Sequence, residues 1–210
     1  VCSSDLKLND PRIRGAMKAN GARIESPVTG TVLTNVQATG QFNGSKLVIG
    51  SFNAYAGKNG KVSGSGSFEF AAVNGFGMDL SLRAENAVII NRDDIAATVT
   101  GPVQIRSDGA GGLISGNVTL NRGRYQLGQA AAATAVPQLN IREINLPGGD
   151  DEDEAPAKPW RLDVAAKAAD GLTVTGLGLS SEWSTNIRIQ GEPTNPQITG
   201  RADLVRGTYE

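Results

Sequence analysis

The feature that most limits what this chain can fold into is an apolar–polar alternation of period two that restarts again and again along its length. In "LISGNVTLN" (113–121), Ile114, Gly116, Val118 and Leu120 fall on one side and Ser115, Asn117, Thr119 and Asn121 on the other. Successive side chains of a strand point to opposite faces, so such a run predicts a strand with one apolar side. The same holds for Leu162, Val164 and Ala166 in "WRLDVAAKA" and for Ile187 and Ile189 in "STNIRIQG". Upstream, Val99, Val103 and Ile105, then Met78, Leu80 and Leu82, then Val62, Phe68 and Phe70 continue the pattern. Turn signals separate the runs: "FNGSK" (42–46), "GKNGK" (57–61), "SDGAGG" (107–112), "ADG" (169–171) and "EPTNP" (192–196). Turns at roughly 8–12-residue spacing predict an all-β chain whose strands join by hairpins into an antiparallel sheet. A turn or two of helix, or else a loop, is expected only at "QAAAATAV" (129–136), from its alanines.

One strand is written twice. "GGLISGNVTLNRGRYQLG" (111–128) and "PQITGRADLVRGTYE" (196–210) align without a gap, placing Ile114, Gly116, Leu120, Arg122, Gly123 and Tyr125 on Ile198, Gly200, Leu204, Arg206, Gly207 and Tyr209. The shared pattern is I-x-G-x-x-x-L-x-R-G-x-Y. Gly116 and Gly200 sit on the apolar side, where a strand glycine marks a bulge, a bend or a close approach. Recurring at one point of a repeat, they predict bends that turn the sheet into a trough with its apolar face inside. A period of 84 residues is too long for one coil of a β-solenoid, which counts against a structural adhesin of that kind.

Composition narrows the core and the chemistry. Apolar residues make up 39% of the 210, aromatics only 5%, and glycines number 27, so the apolar face is built from small and aliphatic side chains, as a thin β structure requires. With 20 basic and 21 acidic residues scattered along the chain, no electrostatic footprint for nucleic acid exists. There is no His, which removes the commonest acid–base group and metal ligand. Neither a catalytic site nor a cofactor is expected. Asp93 and Asp94 in "INRDDI" fit a polar hairpin turn better than a carboxylate pair, and "GAGG" (109–112) lacks the Lys and Ser/Thr of a phosphate loop. At Arg122-Gly123 and Arg206-Gly207, an Arg gripping a lipid phosphate at a channel rim competes with a plainer reading. In that reading the Gly supplies a positive φ at a strand-ending turn beside a solvated Arg. Tyr125 and Tyr209 are expected to pack on the sheet.

Four segments follow. Residues 1–6, "VCSSDL", holding the single Cys, resemble the translated end of a sequencing-library adapter and are set aside from fold reasoning. A β-rich region is expected over 7–145, an acidic disordered insertion over 146–159, and a continuation of the β region over 160–210. The insertion carries five consecutive acids between Gly-Gly and Pro-rich flanks. Calcium ligation there is disfavoured, because EF-hand spacing is missing and nothing rigid holds the carboxylates.

Residues 170–210 resemble the C-terminal domain of the TamB family. The elements that carry the resemblance are V-x-G-x-G-L (Val174, Gly176, Gly178, Leu179), I-x-I-x-G (Ile187, Ile189, Gly191), then x-P-x-x-P and the repeated I-x-G-x-x-x-L-x-R-G-x-Y. The match is good over about 100–210 and compositional over 7–99. The resemblance implies an elongated antiparallel sheet curved into a U-shaped, apolar-lined trough in the periplasm, anchored to the inner membrane through a segment preceding this one. It implies no enzyme, but a carrier of phospholipid acyl chains between the two membranes, partnered by a TamA-like outer-membrane barrel protein. Assembly of outer-membrane proteins is the alternative duty, with such proteins as clients. Residues expected to line the groove are Val99, Val103, Ile105, Ile114, Val118, Leu120, Leu162, Val164, Val174, Ile187, Ile189, Ile198 and Leu204. From the residues alone, a closed core remains the competing use of the same face.

Overall fold

The computed structural model describes residues 13–27, 29–72, 75–128 and 159–210. They form one ten-stranded sheet in sequence order: β1 Ile13–Ser26, β2 Thr31–Gly44, β3 Lys46–Ala56, β4 Lys61–Ala72, β5 Gly75–Asn91, β6 Ile95–Asp108, β7 Gly112–Gln126, β8 Arg161–Gly176, β9 Leu179–Glu192 and β10 Asn195–Tyr209. The sheet is neither closed nor strongly curled, and β1 and β10 are its edges. The turns expected at 42–46, 57–61, 107–112 and 192–196 all separate strands. Gly44 takes a φ of 68° at the first, where only glycine is at ease. Between β8 and β9, Leu177 and Gly178 both have positive φ (54° and 83°), the two-residue turn whose twist matches that of the flanking strands.

Two expectations of connectivity are corrected. Strands β7 and β8 pair in parallel, Ile114 opposite Leu162 and Val118 opposite Ala166, while every other neighbour is antiparallel. A parallel pair cannot be closed by a hairpin and needs a long crossover; residues 127–160 supply it, and the acidic segment lies within it. That segment and "QAAAATAV" fall outside the described residues, apart from Pro159. The second correction is at "ADG" (169–171), which lies inside β8. There the pairing of β8 with β9 jumps from Ala168–Thr185 to Leu172–Trp183, leaving extra residues on β8.

The bends are also not where the glycines predicted them. Pairing runs through Gly116 and Gly200 unbroken. What these glycines provide is close approach: a Cβ would lie 2.7 Å from Pro102 O at Gly116, and 2.3 Å from Asn186 O at Gly200, where φ is also +127°. The interruptions fall further along the repeat, at the same place in both copies. Leu120 pairs with Val99 and Arg122 with Thr98, leaving Asn121 unpaired; Leu204 pairs with Trp183 and Arg206 with Glu182, leaving Val205 unpaired. An extra residue in one strand is a β-bulge, which bends and twists it locally. A related bulge in β5 has Asn86 in the left-handed region (φ 49°), where Asn is tolerated. The Thr100 hydroxyl ties the two together, accepting from Asn86 N (2.9 Å) and donating to Asn121 Oδ1 (2.8 Å).

The bulge explains the Gly of L-x-R-G. In an unbroken strand, positions three apart face opposite ways; the extra residue puts Leu120 and Gly123 on one face, opposite Val99 and Ala97. The Leu120 side chain then covers Gly123, where a Cβ would stand 2.8 Å from Leu120 Cδ2 and 2.9 Å from Leu172 Cδ1. Gly207 stands beside Leu204 in the same way. Neither glycine has a positive φ or ends a strand, contrary to the turn expected there.

Candidate functional site

Directly paired residues of neighbouring strands point to the same face, so the register settles which side chains share a surface. One row runs Ala19, Ala38, Phe52, Gly64, Leu82, Val103, Gly116, Val164, Ile189, Ile198, crossing all ten strands without a charged or polar side chain. The next row runs from Met17 through Gly40, Ile49, Gly66, Leu80, Ile105, Ile114 and Leu162 to Gly191. On the other face, Ser65, Ser81, Gln104, Ser115, Asp163, Gln190 and Gln197 form an equally continuous polar row. The sheet is therefore two-faced along its whole width.

The residues expected to line a groove all fall on the apolar face. Ile105, Ile114 and Leu162 lie in one row and Val103, Val164, Ile189 and Ile198 in the other. Val118 and Ile187 both stand opposite Ala166. Beyond the bulges, Val99 pairs with Leu120, Val174 with Tyr125 and Ser181, and Leu204 with Trp183. Their exposure differs sharply. Val99 and Val118 belong to a buried cluster with Ala56, Ala84 and Ala87, whereas Ile198 is 61% exposed and Leu204 56%. No large side chain among the described residues is fully buried, and none of the described strands forms a second layer over the face.

The apolar face continues beyond the residues expected to line a groove. A hollow of about 370 Å³ lies across β1–β5, lined by Ile24, Leu33, Phe52, Phe68, Leu80 and Leu82 among others. Phe68, Leu80 and Leu82 follow the alternation, whereas register shifts in β2, between Thr34 and Gln37, and in β3, between Ile49 and Phe52, break it and hide Leu33 and Phe52. At one end the hollow is bounded by a bridge over the β3–β4 hairpin. The Thr31 hydroxyl donates to Ile89 O (2.5 Å), and Asn91 N donates to Thr29 O (2.8 Å).

The polar face carries ordinary surface chemistry. Arg188 grips Asp163 through two hydrogen bonds, Nε to Oδ1 at 2.7 Å and Nη2 to Oδ2 at 2.9 Å. That fork holds the Asp163 carboxyl below its usual range and raises Arg188. Arg206 pairs with Glu182 across the strand at 2.5 Å, so it is engaged with a neighbour on the polar side. Asp94 pairs with Arg92 (3.0 Å) in the β5–β6 turn, the placement expected of a turn acid. Among the described residues no group of three or more His, Cys, Asp or Glu side chains converges, and no helix is long and apolar enough to cross a membrane.

A single sheet with one apolar and one polar face, and no layer of described residues over the apolar one, defines a class of all-β protein built around an extended surface instead of a sealed core. Within that class, the family model of the TamB C-terminal domain matches residues 50–210, and the chain belongs to that family. The match begins well upstream of residue 100, taking in β4 to β10 and most of β3. No curated protein and no solved structure matches the chain.

Proposed function

We propose that the apolar face is the floor of a trough along which phospholipid acyl chains pass between the inner and outer membranes, in a periplasmic protein of the transport and assembly type. The observation that carries this reading is the pair of uninterrupted apolar rows on a face that no other described strand covers. Closed cores bury such rows under a second sheet or a helix. Here Ile198 is exposed and Ile189 only half-buried. An acyl chain in water costs about 0.8 kcal/mol per CH₂, so a dry strip of aliphatic side chains lowers the barrier to leaving a membrane. The scarcity of large rings keeps that strip smooth. A TamA-like outer-membrane barrel protein is the partner that membership of the family points to.

Assembly of outer-membrane proteins is the second reading, and β10 favours it. Every residue of this strand, at the edge of the described sheet, is exposed, and a sheet edge accepts another strand through backbone hydrogen bonds. A photo-crosslinking residue placed at Ile189 or Ile198, with Arg188 and Thr199 on the opposite face as controls, separates the two in cells. Phospholipid adducts at the first pair alone are expected. Adducts to outer-membrane protein strands would favour assembly, and lipid adducts equally frequent on both faces would sink the trough.

A further inference from the structure

Two hollows of about 330 Å³ each lie side by side on the polar face, one over β2–β5, the other over the β3–β4 turn and β5–β7. They meet at consecutive residues: Tyr55, Lys61 and Glu85 line the first, and their neighbours Ala56, Gly60 and Asn86 the second. Three β-bulges shape them, each carrying an asparagine. Asn35 and Val36 together stand opposite Ala54, Glu85 and Asn86 opposite Thr100, and Asn121 is the unpaired residue of β7. Asn35 and Asn86 both have a φ of 49°. Bulges re-aim side chains beside binding sites, and residues other than glycine held in the left-handed region concentrate there as well. The β3–β4 turn is pinned on the second bulge: Ala56 N donates to Gly60 O (2.9 Å), and a Cβ at Gly60 would lie 2.4 Å from Asn86 O.

The first hollow gathers groups that give and take hydrogen bonds. Gln37, Asn53 and Ser63 share one row of the polar face, and Tyr55, Lys61 and Glu85 the next. None of these six has an ion pair or side-chain hydrogen bond among the described residues, although Lys61 and Glu85 are directly paired. Elsewhere on this face such groups are tied to neighbours, as Thr39 is to Ser51 (2.7 Å) and Asp163 to Arg188. The second hollow is cationic. Lys58 and Arg122 line it with Asn59, Asn86 and Asn121, no carboxylate stands among its lining, and neither cation has a partner among the described residues. Asn121 Oδ1 accepts from the Thr100 hydroxyl (2.8 Å), which leaves its NH₂ to donate.

We propose that these hollows bind a carbohydrate strand bearing a carboxylate, its hydroxyls on the amides of the first and its carboxylate between Lys58 and Arg122 in the second. A sugar hydroxyl both donates and accepts, and so do Asn, Gln, Ser and Tyr. The C–H face of a pyranose ring packs on an aromatic ring, and Tyr55, 43% exposed, offers one with its hydroxyl still able to bond. The Arg fork matches a carboxylate. A peptide adding as a strand needs a sheet edge, and β2–β5 are interior strands. A hard cation needs several oxygen ligands, and Glu85 is the one carboxylate in the lining of either hollow. The site lies on the face opposite the apolar rows and stands apart from the acyl-chain reading.

The 210-residue chain is titrated by calorimetry with hexagalacturonate, with its methyl ester and with hexaglutamate. Hexagalacturonate is expected to bind saturably and about tenfold more tightly than the ester, the scale of one charge-assisted hydrogen bond, and hexaglutamate not to bind. Arg122→Gln brings the acid to the level of the ester and leaves the ester unchanged. Asn53→Ala and Tyr55→Ala each weaken both sugars about tenfold; both positions are exposed, so neither loss is a loss of fold. No saturable binding of either sugar, or binding that survives Asn53→Ala and Tyr55→Ala, overturns the site. Hexaglutamate binding as tightly as hexagalacturonate overturns the sugar in favour of a plain polyanion patch. Equal binding of acid and ester overturns the carboxylate seat at Lys58 and Arg122.

Discussion

Gly123→Ala tests the packing logic of the repeated strand. The backbone at Gly123 is outside the left-handed region, so alanine is sterically allowed there, and a less flexible unfolded chain favours it by about 0.4–1 kcal/mol. Against that, the new methyl would lie 2.8 Å from Leu120 Cδ2 and 2.9 Å from Leu172 Cδ1, and both leucines must leave their preferred rotamers. Each displacement costs about 0.5–1.5 kcal/mol, so the net destabilisation is about 1–2 kcal/mol. For a chain of this length that lowers the melting temperature by about 2–8 °C. Leu120→Ala lowers it too, but it removes one of the two obstructions, so Gly123→Ala costs much less in that background. A double-mutant cycle on melting midpoints followed by circular dichroism therefore shows a coupling of about 1 kcal/mol. Gly207→Ala, with nearest contacts at 3.1 Å (Ser181 Cβ), 3.3 Å (Ser180 O) and 3.5 Å (Leu204 Cδ1), is milder than Gly123→Ala. Additivity of Leu120→Ala and Gly123→Ala within about 0.3 kcal/mol would refute the claim that the bulge folds the leucine over the glycine.

Three further outcomes are expected. Val99→Ala, at a position only 2% exposed in the alanine-rich cluster, costs about 2 kcal/mol and is read as a lower urea midpoint; an unchanged midpoint would show that the cluster is not packed. Thr31→Val removes the hydroxyl that donates to Ile89 O and costs about 1 kcal/mol, with faster hydrogen exchange at the Asn91 amide if the bridge over the β3–β4 hairpin loosens as a unit. Asp163 titrates below its ordinary value of 3.8 because Arg188 hydrogen-bonds and attracts the carboxylate. A depressed folded-state value means that its small contribution is complete above the unfolded value and is lost as pH falls through the folded one. Arg188→Gln moves the titration upward by NMR, and an unmoved titration would mean that the fork is open in solution.

The strands were legible because one face of each is apolar. Ile114, Val118, Leu162, Val164, Ile187 and Ile189 announce their face through simple alternation, and no tertiary context overrides it. The bulges were less legible, since they shift the pattern by a residue and look like noise in a single strand. The signal was nevertheless present in the repeat: Leu120 and Tyr125 are five apart, as are Leu204 and Tyr209, an odd spacing that cannot keep both on one face of a regular strand. The parallel joint was hidden for another reason. Its pairing is set by a crossover whose acidic sequence carries no strand signal.

The parallel joint between β7 and β8 also gives the sheet a mechanical character. Where two antiparallel neighbours share a hairpin, tension enters both strands at the same end and their hydrogen bonds open one after another, like a zip. At β7–β8 the chain enters β7 at one end and leaves β8 at the other, so tension along the chain loads the whole set of bonds together, in shear. A pulled molecule should therefore release its hairpins at low force and hold longest at this joint, then yield a single long extension as the crossover pays out.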